Sequence, residues 1–205
     1  INGFIEGILD GTIPDDKQRY YLNIVKDEVK RLYRLVSDLL DIARMESGET
    51  KVNLTEFDIC EVIRLSVIQL QQFIEDKNIN FRANFEQESM HVYADRDAIQ
   101  RVMLNLIHNA IKFTPEGGSI SVAVRDVKGK AEITVSDTGQ GIPEEDLPFV
   151  FDRFHKADKS RGKDKTGVGL GLYIVKNILK AHNENITVES EYGNGTTFTF
   201  SLPMA

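Results

Sequence analysis

Asn105, Asn109 and Lys112 stand at i, i+4 and i+7 in the stretch Asn-Leu-Ile-His-Asn-Ala-Ile-Lys-Phe-Thr-Pro over residues 105–115. On a helix that spacing draws them into one polar stripe. Ile99, Val102, Leu106 and Ala110 form a neighbouring apolar stripe that can face a core. Asn is a mediocre helix former that prefers caps and turns, so an exposed face would be better served by Glu, Lys or Gln. Two carboxamide oxygens pointing the same way suit a hard cation. Mg²⁺ takes oxygen ligands, keeps several waters and shares the rest with substrate phosphates. Lys112, one turn on, would sit near those phosphates. The plain alternative is a solvated helix face that tolerates two Asn.

Later segments carry chemistry of a matching kind. Asp137-Thr138-Gly139-Gln140-Gly141-Ile142 follows a strand-like run over residues 132–136. A carboxylate at a strand end is costly to bury unless something donates to it. Read alone, Asp-Thr-Gly is also good turn chemistry. Phe151-Asp152-Arg153-Phe154 comes next, and its aromatics are expected to pack the base of a loop. Gly167-Val168-Gly169-Leu170-Gly171-Leu172 then opens an amphipathic helix over residues 170–181. A glycine-rich turn entering a helix offers free N–H groups to phosphate oxygens. It is neither a Walker A loop nor a dinucleotide fingerprint, because no GxxxxGK[ST] occurs and no strand leads directly into it. It would also serve as a hinge for the polar, Lys-rich stretch before it.

In this order the stretches resemble the ATP-binding domain of sensor histidine kinases, in the Bergerat-fold superfamily shared with gyrase, mismatch-repair and chaperone ATPases. The resemblance extends over nearly the whole chain. It implies a site for ATP and Mg²⁺. Asn109 and Asn105 would hold the metal, and Lys112 and Lys156 would be the catalytic lysines that compensate phosphate charge. Asp137 would accept from the adenine amino group, with Gly139 and Gly141 close to the base, Phe113 covering it, and Thr197 on the neighbouring strand near Asp137. Gly167, Gly169, Gly171 and Leu172 would meet the phosphates. Lys156 stands where many relatives have Arg, so it would act as a point charge without the bidentate fork.

The 205 residues suffice for one large domain or one domain plus a small module. With 41% hydrophobic and 28% charged residues the chain has an ordinary globular composition. A net charge of −7 and the lack of a basic stripe argue against nucleic acid as a partner. The single cysteine, Cys60, excludes an intrachain disulfide and lies in an apolar helical pattern that marks it as core. No apolar run approaches the ~20 residues needed to span a bilayer. The chain opens in mid-pattern on Ile1 and is expected to be a fragment.

Ile1, Phe4, Ile5, Ile8 and Leu9 fit one helix face, Gly11 a stop, and Pro14 with Asp15 and Asp16 a restart. Leu22, Val25, Val29, Leu32, Val36, Leu39 and Ala43 then alternate spacings of three and four, the a/d seam of a heptad pattern. An apolar face this wide on a helical hairpin needs more helices to cover it, and a homodimeric four-helix bundle is the simplest solution. Asp58 with Glu61 starts a helix over residues 59–75. Residues 79–85 and 91–94 read as strands, Asp95 as the cap of the Asn helix, and 119–124 with 130–136 as a hairpin around Lys128-Gly129. A last hairpin turns through Gly193-Asn194-Gly195. The expected fold is α+β: a helical hairpin, then a two-layer sandwich with helices on one face of a mixed sheet. With the resemblance, residues 1–47 are the dimerisation and phosphoacceptor hairpin, 48–57 a linker, and 58–205 the ATP-binding catalytic domain.

The resemblance further implies transfer of the γ-phosphate to a histidine and relay to an aspartate of a response-regulator receiver domain. It places the chain in the cytoplasmic portion of a membrane-anchored parent. The four histidines are His91, His108, His155 and His182. None stands in the family's H-E-x-x-x-P-like box, so the acceptor is expected upstream of Ile1. His108 should face away from the polar stripe, His155 should be solvated, and His182 should end a helix where a cation suits the dipole. An ATP-gated clamp ATPase of the gyrase or chaperone type would need a Glu base on the Asn helix, and no Glu occurs between Asp97 and Glu116. A degenerate adaptor that binds partners through the hairpin is the non-enzyme alternative.

Overall fold

The computed structural model describes residues 1–46, 52–155 and 168–205. The chain divides into two units, Ile1–Glu49 and Thr50–Ala205.

In the first unit, α1 (Asn2–Leu9) ends at Asp10, and Gly11 takes the left-handed φ of +77° that reverses the chain. The Asp10 carboxylate accepts from the Thr12 N–H at 2.9 Å. Pro14 precedes α2 (Asp15–Glu46), whose Asp15 and Asp16 suit the positive end of the helix dipole. Phe4 stacks on Tyr21 with ring centroids 5.2 Å apart, closing the hairpin. The seam itself is open in one copy: Leu22, Val29, Leu32, Val36 and Leu39 are all exposed.

In the second unit, β1 (Thr55–Asp58) pairs antiparallel with β3 (His91–Ala94). This corrects the expected linker over residues 48–57, of which 48–51 lie outside the described residues. Its polar composition hid a strand with a single inward residue, Phe57, which is buried while Thr55 and Glu56 are exposed. Asp58 then caps α3 (Ile59–Asp76), accepting from the Cys60 N–H at 2.9 Å and the Met90 N–H at 3.0 Å. One side chain thus starts the helix and fastens it to the stretch before β3. Asp58→Ala should cost about 1–2 kcal/mol, seen in urea as a lower midpoint with an unchanged slope.

Five strands form the main sheet in the order β2-β4-β5-β7-β6, with β2 (Asn80–Phe85), β4 (Ser119–Val127), β5 (Lys130–Asp137), β6 (Ile186–Glu191) and β7 (Gly195–Pro203). β2 runs parallel to β4 and the other pairs are antiparallel, so the sheet is mixed as expected. Lys128 and Gly129 both have positive φ, +56° and +79°, as a two-residue hairpin between twisted strands requires. Ile120, Val122, Val124, Ile133, Val135, Phe198, Phe200 and Leu202 alternate inward and are buried. They meet the apolar faces of α3, α4 (Arg96–Phe113) and α5 (Gly171–Ala181), which supply Ile63, Leu106, Ile107, Ile174 and Val175. Cys60 is buried in this layer. The result is the two-layer α+β sandwich expected from the sequence.

Candidate functional site

α4 is held at both ends and along one side. At its start, Asp95 accepts from the Ala98 N–H at 3.1 Å and the Asn53 N–H at 2.9 Å. The Asp95 N–H donates to Nε2 of His182 at 3.0 Å, while Nδ1 of His182 lies 2.8 Å from the Ile178 carbonyl. A ring that accepts at Nε2 and donates from Nδ1 is neutral, so His182 does not serve as the expected helix-end cation. The stripe Ile99, Val102, Leu106 and Ala110 is buried, and the stripe Asn105, Asn109 and Lys112 stays half-buried at the edge of the core.

Asn105 donates through its amide nitrogen to the Arg101 carbonyl at 3.1 Å. This turns its Oδ1 toward α5, where a Cβ at Gly171 would stand 3.1 Å from it. The Asn stripe therefore reaches the first turn of α5, which holds Gly171 and Leu172. Unlike α3 and α4, α5 has no side-chain cap, because Leu170 precedes it. Among the described residues no side chain caps its leading N–H groups, the arrangement an anion site at a helix start would use. Gly169 has φ +78°, and a Cβ there would run into the Phe154 and His155 backbone. The Phe154 N–H donates to the Gly169 carbonyl at 3.0 Å. Gly169 thus brings the backbone at Phe154 and His155 against the residues just before α5. Lys156 and Gly167 lie outside the described residues, as does nearly all of the Lys-rich stretch.

At the other end of α4, the Phe113 carbonyl packs on the turn after β5. A Cβ at Gly139 would stand 2.8 Å from that oxygen, and the Gly139 N–H donates to Oδ1 of Asp137 at 2.8 Å. Lys112 extends over the Phe113 ring, its Nζ 4.8 Å from the centroid. Burial pushes the Asp137 carboxyl up to about 6, against the backbone N–H bonds from Gly139 and Thr196 that pull it down. A half-buried carboxyl raised in this way at a strand end is a candidate to accept from a ligand amino group. Gly141, at φ +67°, is required by the backbone of Glu191 and Tyr192 packed against it. As placed, Gly139 and Gly141 make room for protein backbone.

The strand register corrects one carried-over residue. Thr197 lies opposite Ser136, and their hydroxyls sit 2.9 Å apart on the sheet face away from the helices. Asp137 pairs with Thr196, which shares the helix-side face, is buried, and places its hydroxyl 3.0 Å from that of Ser190. Counting alternation back from the buried Phe198 would have found Thr196. His155 is also not solvated: its Nε2 lies 3.3 Å from an Asp146 carboxylate oxygen. Phe151 packs edge-on against Phe198 as a loop-base residue should, whereas Phe154 is exposed and contributes backbone only.

Residues 94–205 match the family described as histidine kinase-, DNA gyrase B- and HSP90-like ATPase. Residues 1–48 match the His Kinase A (phospho-acceptor) domain. The chain is 38% identical over 204 residues to sensor protein SrrB of Staphylococcus aureus, covering 99% of this chain and 35% of that relative. Thus it spans about a third of the length of the curated relatives it matches. Among solved structures, histidine kinase ShkA in complex with AMPPNP superposes with TM-score 0.80 at 26% identity, covering 98% of this chain and 42% of that one. Histidine kinase ThkA in complex with response regulator protein TrrA gives TM-score 0.77 at 29% identity, covering 100% and 56%. The histidine kinase AdeS of Acinetobacter baumannii gives 0.80 at 25%, covering 99% and 92%.

Proposed function

The chain belongs to the sensor histidine kinases, and from that premise we propose that it is a catalytic core that binds Mg·ATP. It passes the γ-phosphate to a histidine that these residues do not contain, for relay to an aspartate of a response regulator. One observation carries this reading. α4 meets the uncapped first turn of α5 through Asn105 and the turn after Asp137 through the Phe113 carbonyl, which supports a phosphate-binding end and an amino-accepting end along one helix. In the proposed site Asn109 and Asn105 offer oxygens to Mg²⁺, and Lys112 and Lys156 neutralise phosphate charge. Gly167, Gly169, Gly171 and Leu172 line the phosphate turn. Asp137 takes the adenine amino group, Phe113 lies beside the base, and Thr196 replaces Thr197 as the neighbouring strand's contribution. Mg²⁺ supplies charge neutralisation across the phosphates when bound. The protein's share is positioning and electrostatics, as suits phosphoryl transfer.

The histidines support an acceptor outside these residues. His91 lies 3.0 Å from Glu56, His155 against Asp146, His182 between the ends of two helices, and His108 edge-on to Phe73. Each is engaged structurally and none lies on the α4 stripe. We assign residues 1–47 to the dimerisation hairpin and the catalytic domain to the residues from Thr55 on. The exposed seam of α2 favours a homodimer. Response-regulator docking is supported by the ThkA–TrrA complex, and nucleotide binding by ShkA with AMPPNP. No helix among the described residues is long and apolar enough to cross a membrane. Membrane attachment, and with it a cytoplasmic placement, would come from parts of the parent outside these residues.

Titration calorimetry with Mg·ATP should give saturable binding to this chain, and its absence would sink the reading. Labelled ATP should leave no acid-labile, base-stable label on the chain. Such a label would show that one of its own four histidines is an acceptor after all.

A further inference from the structure

Lys77 closes α3 and lies outside every stretch in which nucleotide chemistry was legible. Its Nζ lies 2.7 Å from the Ile111 carbonyl, 2.9 Å from that of Lys112 and 3.0 Å from that of Thr114. An ammonium has three N–H donors, and here they end on two carbonyls of the last turn of α4 and on that of Thr114, its C-cap. Those of the last turn are among the orphan acceptors that a helix leaves at its C-terminus. The bond is returned, since the Gly117 N–H donates to the Lys77 carbonyl at 3.0 Å. Asn78, held at φ +49°, donates to Glu116 at 3.0 Å. The Asn80 N–H donates to the Gly118 carbonyl at 2.8 Å. The α3–β2 turn and the segment after α4 are thus laced together residue by residue.

That segment is where α4 meets the Asp137 turn. The Phe113 carbonyl sits on Gly139, and the Ser119 N–H donates to the Thr138 hydroxyl at 2.9 Å. The carbonyls that Lys77 grips therefore flank the one that packs on Gly139. We propose that Lys77 is a positioning residue for nucleotide binding: its ammonium fixes the last turn of α4, and through it the spacing between the α4 stripe and the Asp137 turn. The inference rests on the proposed ATP site for its functional reading, but its structural half can be tested without a ligand.

The geometry also says what cannot substitute. A tetrahedral ammonium meets three carbonyls that converge on one point. A planar guanidinium spreads its donors along a fork and cannot. If Lys77 served only as a cation for the helix dipole, Arg would do equally well.

Lys77→Met and Lys77→Arg should be compared with the parent chain by ATP calorimetry and by carbon NMR titration of the Asp137 carboxyl. Both variants should bind Mg·ATP about tenfold more weakly, the loss typical of a residue that orients direct ligands. In both, the Asp137 carboxyl should titrate below the parent's value of about 6, because a loosened turn admits water. A purely structural lysine would lower the melting temperature and leave that titration in place. The proposal is overturned if folded Lys77→Met keeps the parent's affinity and Asp137 titration, or if Lys77→Arg restores both. Should Lys77→Met fail to fold, the Arg variant keeps bulk and charge and decides alone. Should the parent itself not bind ATP, the proposed function falls, while the Asp137 titration still tests the clamp.

Discussion

Asp137→Asn should abolish most ATP binding while making the fold more stable. A carboxylate accepting from the adenine amino group supplies a charge-assisted bond, about 1.5–3 kcal/mol or roughly ten- to a hundredfold in affinity. Asn cannot imitate it, because its oxygen would stay with the Gly139 N–H that now holds Oδ1 at 2.8 Å. Its amide nitrogen would then face the adenine amino group, donor against donor. Stability moves the other way. Burial holds the Asp137 proton up to about pH 6 in the folded chain, against 3.8 for a free side chain. Folding therefore takes up a proton between those values, and stability falls as pH rises through the window. Above it the ionised, buried group costs up to about 3 kcal/mol, which a neutral Asn does not. A melting temperature a few degrees higher at pH 7–8 is expected, with the added stabilisation by Mg·ATP lost. In the parent, ATP affinity should weaken as pH is lowered through about 6, since a protonated carboxyl no longer accepts there. A variant that binds ATP normally would remove Asp137 from the site.

Asn109→Ala is expected to erase the Mg²⁺ dependence of ATP binding. In the parent, affinity should be higher with Mg²⁺ than with a chelator. In the variant the two values should converge, because the carboxamide oxygen that ties metal to protein is gone. In a kinase that carries its acceptor histidine, transfer should fall about 10²–10³-fold, the usual cost of removing one preorganised charge-stabilising group. Ala is also the better helix former by about 0.5 kcal/mol, so an unfolded variant is not the explanation to expect. Asn105→Ala should cost less, since the Asn105 amide is already bonded to the Arg101 carbonyl and its oxygen faces Gly171. Persistent Mg²⁺ dependence in Asn109→Ala would move the metal elsewhere. Asp137 and Asn109 share a signature: each is a poor choice for the fold and a good one for a ligand.

Much of this was legible before any coordinates. Asn at i and i+4 on a helix, Asp at a strand end, and glycines ahead of a helix each violate a local preference, and local preferences can be read residue by residue. Heptad spacing predicted the long helix, and alternation predicted the strands from β2 to β7 within a few residues. β1 escaped because a strand with one inward residue, Phe57, leaves almost no period to detect. Alternation along β7 puts Thr196, not Thr197, on the face of the buried Phe198, but that Asp137 lies opposite Thr196 is decided only by the register of β5 on β7.

Chemistry and elements were therefore properties of the sequence, since spacing along a helix or strand already determines which side chains share a face. What lies against each face was not. The Lys77 ammonium on the end of α4, His182 on the Asp95 N–H, and Gly139 and Gly141 pressed by Phe113 and Glu191 all join residues distant in the chain. Such pairings arise when apolar faces are buried together and stranded donors and acceptors must find partners, and no local pattern records where those partners will be.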